Sequence, residues 1–326
     1  MNESLTIQDN RTDRVAGCLL GLAIGDALGT TLEFSERDKY PLHTEITGGG
    51  PFSLEAGKWT DDTSMALCIA ASMLETNSFD VYDQKIRYVK WWREGYMSST
   101  GRCFDIGTQI RQELDRFKNE LDFGRDPGPF QYNPNNNASG NGGIMRLAPV
   151  AMAFCHNIEL AGKMSALSSR TTHASKECQE GATVFGELLA SAMQGQNKEQ
   201  LLNRLDLLEP QVTAPHMKTI CQKKFTNDVR EKINASGYIS ASLYAALWAF
   251  YQTKSFEDGA ILAVNLGGDA DTVGAIYGQL AGAFYGKSGV PLRWLNVLYQ
   301  ADMITDFGNQ IAANAGNFTV IEYPDY

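Results

Sequence analysis

Two apolar segments, one near each end of the chain, carry glycine at every fourth position. Gly17, Gly21, Gly25 and Gly29 form the first register, and Gly274, Gly278, Gly282 and Gly286 the second. In a helix this spacing keeps all four glycines on one face. Each glycine inside a helix costs about 1 kcal/mol relative to alanine, so something must offset the loss. Close backbone approach to another helix is the usual reason, because a ridge without side chains lets two helices draw together. The pattern predicts two central helices, each with an acidic residue near one end of its ridge, Asp26 in the first and Asp271 in the second.

Helical periodicity continues between them. Met65, Cys68, Ile69, Ser72 and Met73 share one face, as do Ile106, Ile110, Leu114 and Phe117, and Leu243, Tyr244, Leu247, Trp248 and Tyr251. The best strand-like run is Phe318 to Tyr323. The expected fold class is all-α, a compact single-domain multi-helix bundle of about ten helices or more. It would occupy residues 14–326 after a polar N-terminal tail at residues 1–13. A chain of 326 residues with 43% hydrophobic content can build one large core.

A net charge of −10 argues against nucleic acid or an anionic membrane as partner. The apolar run Val15 to Gly25 is short for a membrane span and meets Asp26 directly. Six scattered cysteines, without a Cys-x-x-Cys, read as reduced, buried thiols of a cytoplasmic protein. The polar start, Met1 to Arg14, does not read as a secretory signal.

Two acidic clusters carry the chemistry: Trp59-Thr60-Asp61-Asp62-Thr63 and Gly267-Gly268-Asp269-Ala270-Asp271-Thr272. Taken singly, each reads as a helix N-cap. Taken together they exceed what capping needs, since one helix start needs one cap. Carboxylate and hydroxyl oxygens suit Mg²⁺, Mn²⁺ or Ca²⁺ rather than zinc. Brought face to face, the clusters would make a two-metal centre, the kind that usually serves hydrolysis or group transfer.

A Pro-, Gly- and Asn-rich stretch from Gly124 to Gly143 is read as a long loop. It ends in Ser139-Gly140-Asn141-Gly142-Gly143 before a helix-like run, an arrangement that offers backbone N–H groups to an anion such as phosphate. The plainer alternative is a flexible surface loop. It is neither a Walker A loop nor a Rossmann turn.

In order along the chain, Gly21 to Gly29 with Glu33, Trp59 to Thr63, Gly101 to Gly107, Ser139 to Arg146, Thr172-His173 and Gly267 to Gly274 resemble the ADP-ribosylglycohydrolase family, the dinitrogenase-reductase-activating type of hydrolase. The resemblance implies an all-α fold with a binuclear Mg²⁺ or Mn²⁺ centre. Thr60, Asp61 and Asp62 would ligate from one side, and Asp269, Asp271 and Thr272 from the other, with Asp271 as the bridge. Asp62 also counts among the catalytic residues. The implied substrate is ADP-ribose on a protein side chain, and the products are ADP-ribose and the unmodified residue. Arginine is the preferred linkage, because Gly101 to Gly107 looks most like the arginine-directed members.

Further roles follow from the resemblance. Glu33 would act at the metal as base or gate, and Asp105, among apolar neighbours, as proton donor. Ser139, Asn141, Gly142 and Gly143 would bind the diphosphate, and His173 would contact the substrate. Arg146 would meet a phosphate or a structural carboxylate, and Phe130 or Tyr132 the adenine. An ADP-ribosylating toxin or transferase would be the counterpart. Serine-linked or small-molecule ADP-ribose, a metal-dependent phosphoesterase, and a non-catalytic ADP-ribose- or toxin-binding protein are the rival readings.

Overall fold

The computed structural model describes residues 2–131 and 138–324. Its centre is the pair of glycine-ridged helices, α1 (Asn2–Gly29) and α12 (Ala270–Tyr285), packed antiparallel with their backbones touching. A Cβ added to Gly21 would fall inside van der Waals contact with the Gly278 carbonyl oxygen. The same holds for Gly25 against Gly274 and Gly17 against Gly282. Glycine is thus the side chain that this separation admits. Every residue from Val15 to Thr30 and from Ala270 to Ala283 is buried. The stretch Asn10–Leu32 is long and apolar enough to cross a membrane by length and composition, and its most apolar 18-residue window is 94% buried within the protein. α1 begins at Asn2, so residues 2–13 belong to the same helix as the ridge.

Around this pair pack α2 (Asp61–Thr76), α5 (Ala148–Phe154), α7 (Lys176–Met193), α10 (Ile239–Gln252), α11 (Phe256–Val264) and α14 (Ala301–Asn314). Outside them lie α3 (Val81–Glu94), α4 (Thr108–Asp122), α6 (Ile158–Arg170), α8 (Lys198–Leu208), α9 (Pro215–Cys221) and the short α13 (Leu292–Leu295). The all-α expectation holds, and the faces read from periodicity on α2 and α10 are core faces. Ile106 lies one residue before Gly107, the N-cap of α4, so it packs from the preceding loop rather than from the helix. The strand-like run near the C-terminus contributes Thr319–Val320, paired in parallel with Ser78–Phe79.

Five helices are capped by their own N-cap side chains: α3 by Asp80, α6 by Asn157, α7 by Ser175, α8 by Asn197 and α11 by Ser255. α2 and α12 are not. Their N-cap residues, Thr60 and Asp269, make no capping bond with their side chains. The two acidic clusters therefore sit at helix starts, as the sequence indicates, with those two side chains released from the capping role.

Candidate metal centre and substrate cleft

The side chain that stabilises the start of α2 comes from α1. Asp26, fully buried, accepts from the Thr60 N–H and hydroxyl at 2.9 and 3.0 Å. It also accepts from the Thr63 N–H and hydroxyl at 3.0 and 2.6 Å. Thr60 Oγ1 also lies 3.3 Å from Asp62 Oδ2 and 3.2 Å from Asp271 Oδ2. Thr272 Oγ1 reaches Asp62 Oδ2 at 3.5 Å. The two clusters are thus face to face, held there by the α1–α12 contact and by Asp26.

Glu33, just past α1, and Asp105, in the loop before α4, join them. Carboxylate oxygens of Glu33, Asp105 and Asp271 lie within 4.8 Å of one another. Burial, and then the charges of their neighbours, push every one of these carboxyls toward the protonated form. Glu33 is driven up to about 9 by burial and by Asp105, Asp269 and Asp26. Asp105 is driven up to about 7 by burial and by Asp26 and Asp269. Asp61, Asp62 and Asp271 rise well above the carboxylate range for the same reasons. Glu33 Oε2 and Asp62 Oδ1 are buried without a hydrogen-bond partner among the described residues. Crowded carboxylates with unpartnered oxygens and no soft ligand fit a hard divalent cation, which would satisfy those oxygens and offset the repulsion.

This floor opens into a cleft of about 800 Å³. Glu33, Asp61, Asp105, Asp269 and Thr272 line it, while Thr60, Asp62 and Asp271 lie just beneath, fully buried or nearly so. Asn141, Gly142 and His173 form part of the wall. The glycine-rich segment is a tight turn rather than an open loop, with a 3₁₀ helix at Asn141–Gly143. Gln279 of α12 fastens it, donating to the Ile144 and Met145 carbonyls at 3.1 and 2.8 Å.

Several expected contacts are revised. The Asn141 N–H donates to the Gly237 carbonyl at 3.1 Å, and its side chain to Asp269 Oδ2 at 2.6 Å, so Asn141 positions an acidic residue rather than offering its N–H to an anion. Gly142 lines the cleft beside Asn141. Gly143 packs beneath the cleft, where a Cβ would strike the Ser169 hydroxyl. Ser139 is turned to Ser175 at 2.9 Å and does not line the cleft. Arg146, fully buried, donates to Thr171 and Thr172, lies 4.5 Å from the Tyr88 ring centre and does not line the cleft, and the Asp61 carboxylate is the acidic group whose charge it feels. His173 is buried against Gly142, with Nδ1 2.8 Å from Thr172 Oγ1, and burial pushes its pKa down to about 3, leaving a neutral imidazole. Phe130 stacks under Arg170 and does not line the cleft, and Tyr132 lies outside the described residues.

Three residues of the site carry no sequence signal of their role there. In the sequence Asp26 reads only as an acid at a ridge end. Phe34 and Gln109 line the cleft, and Gln109 holds the Thr172 carbonyl at 3.2 Å. The signal that marks Phe34 is conformational, a φ of +58°, which a sequence does not display. For a bulky residue such a conformation costs of order 1–3 kcal/mol.

A sequence model of the ADP-ribosylglycohydrolase family matches residues 7–318. The chain is 41% identical over 285 residues to the ADP-ribosylarginine hydrolase Tri1 of Pseudomonas putida (strain GB-1), covering 87% of this chain and 73% of that protein. It is 31% identical over 291 residues to the ADP-ribosyl-[dinitrogen reductase] glycohydrolase of Rhodospirillum rubrum, covering 88% of this chain and 90% of that protein. A solved structure described as an ADP-ribosylglycohydrolase-related protein complex superposes with a TM-score of 0.83 at 38% identity, over 94% of this chain and 99% of the other.

Proposed function

The chain belongs to the ADP-ribosylglycohydrolase family, and from that premise we propose that this enzyme removes ADP-ribose from arginine side chains of modified proteins. The observation that carries the reading is the meeting of both acidic clusters with Glu33 and Asp105 on the floor of one cleft. Arginine is supported by the name of the P. putida relative and by the Gly101 to Gly107 segment.

We assign two divalent cations, Mg²⁺ or Mn²⁺, to Thr60, Asp61, Asp62, Asp269, Asp271 and Thr272. When bound, such ions polarise the hydroxyl or water oxygens they hold. The reaction breaks the bond between the anomeric carbon of the distal ribose and the guanidine nitrogen. A water oxygen takes the nitrogen's place, the departing guanidine gains a proton, and the water loses one. Positive charge develops at the anomeric carbon in the transition state. The carboxylates around the floor favour that charge. Glu33 and Asp105 divide the proton transfers between them, since both line the cleft with carboxylates within 4.8 Å of Asp271.

The diphosphate lies against the Gly142 backbone, with the neutral His173 ring behind it. Asn141 acts through Asp269, which it holds in place. Beyond Gly237 the wall continues to Tyr238, which lines an adjoining cavity of about 310 Å³ and gives the adenine an aromatic face. A cytoplasmic location and a counterpart toxin or transferase, whose modification the enzyme reverses, complete the proposal. The test is incubation with arginine-linked and serine-linked ADP-ribosyl proteins, with and without divalent metal. Free ADP-ribose supports hydrolysis, AMP or phosphate indicates a phosphoesterase, and binding without release indicates a binding protein.

A further inference from the structure

Phe34 is the one Phe, Tyr or Trp among the described residues lining the main cleft. It is 69% exposed, so burial does not explain its presence. Its backbone is left-handed, with φ +58°, which is unfavourable for a bulky side chain. That conformation is pinned from both sides. The Phe34 N–H donates to the Gly268 carbonyl at 2.6 Å, and the Gly268 N–H to the Ser35 carbonyl at 2.9 Å. Those bonds account for the backbone and leave the side chain unexplained, because glycine or asparagine would take the same conformation at lower cost. Phe34 directly follows Glu33, whose carboxylate lies within 4.8 Å of those of Asp105 and Asp271. Phe34 therefore lines the cleft next in the chain to Glu33, one of the two groups assigned to proton transfer.

We propose that Phe34 is a specificity-determining residue, its ring being the platform on which the guanidinium of an arginine-linked substrate stacks. The proposal rests on the reading that arginine carries the ADP-ribose. A guanidinium is planar and cationic, and it is weakly enough hydrated to leave water for an aromatic face. Glu33, Asp61, Asp105 and Asp269 line the same cleft and reinforce the attraction for a cation. A serine linkage is neutral and gains nothing from the ring. Stacking also holds the guanidine nitrogen in line with the anomeric carbon, so the ring contributes orientation as well as affinity.

The test compares the metal-loaded wild type with Phe34→Leu and Phe34→Trp. It uses steady-state kinetics on arginine-linked and serine-linked ADP-ribosyl peptides, and calorimetry of free ADP-ribose. Phe34→Leu is expected to lose about tenfold in kcat/KM on the arginine-linked peptide, mainly through KM, and Phe34→Trp to keep most of it. Free ADP-ribose should bind both variants as it binds the wild type. An active wild type matched by Phe34→Leu overturns this proposal alone. An equal loss of ADP-ribose affinity in Phe34→Leu also overturns it, because the ring would then serve the nucleotide. A wild type inactive on the arginine-linked peptide overturns the arginine reading, and this proposal with it.

Discussion

Asp26 on α1 caps α2 through Thr63, accepting from its N–H at 3.0 Å and its hydroxyl at 2.6 Å. An N-cap side chain ordinarily takes that third helical N–H. Here the carboxylate of a second helix takes it, and the N-cap side chain, Thr60, turns its hydroxyl toward Asp62 and Asp271. The glycine contact between α1 and α12 fixes where Asp26 stands relative to both acidic clusters. Fold and site are thus one construction: the ridge brings the helices together, and Asp26 converts that contact into an orientation for the ligands.

Replacing Asp26 with Asn should therefore weaken metal binding without unfolding the protein. The amide keeps one acceptor oxygen where the carboxylate serves two backbone and two hydroxyl donors. A loss of about 10–100-fold in Mn²⁺ affinity by calorimetry is expected, with helicity by circular dichroism retained. Unchanged affinity would show that Asp26 does not orient the ligands.

The helix contact itself should be intolerant of side chains. Gly278→Leu forces α1 and α12 apart at the Gly21 carbonyl and should cost about 3 kcal/mol or more in urea unfolding. Gly107→Ala is the control. A Cβ there meets nothing nearer than 4.0 Å, and its cost should stay within about 0.5 kcal/mol. Equal midpoints for the two variants would refute the close approach.

Much of this was legible because it is written in local patterns. The glycine registers announce a close contact through their period alone, and the acidic clusters announce a site because they hold more carboxylates than two caps require. What stayed hidden depends on which side chains meet across the fold. Nothing near Asp26 in sequence reveals that its partners are Thr60 and Thr63. Arg146 reads equally as a phosphate contact or as the partner of a structural carboxylate, and only the fold shows it turned into the core at Thr171, Thr172 and Tyr88. Ser139 belongs to the glycine-rich motif, but its hydroxyl turns to Ser175.

His173 should tie stability to pH. Its folded pKa is depressed to about 3 by burial and by Arg146, whereas in the unfolded chain it titrates near 6.5. Between those values the unfolded chain binds a proton that the folded protein refuses, so stability is lost as pH falls. The slope from this group is at most about 1.4 kcal/mol per pH unit. Urea unfolding at pH 7, 6 and 5 should show a shallower loss for His173→Gln than for wild type. Parallel curves would mean that His173 titrates in the folded state as it does unfolded.

The site carboxylates should separate into two kinds by mutation. Asp62→Ala and Asp271→Ala should abolish turnover and metal binding together. Glu33→Ala and Asp105→Ala should lower kcat by about 10²–10⁴-fold, the range for loss of a general acid or base. Free ADP-ribose should bind Asp105→Ala better than it binds a variant lacking a metal ligand. Retention of full activity by either Glu33→Ala or Asp105→Ala would remove that residue from the proton-transfer pair.

The most direct test of the account is product analysis with an arginine-ADP-ribosylated protein, before and after chelation. The account predicts free ADP-ribose and unmodified arginine in the presence of Mg²⁺ or Mn²⁺, no release after chelation, and recovery when either ion is restored. Release of AMP or phosphate, or binding of metal and ADP-ribose with nothing released from the modified arginine, would contradict it.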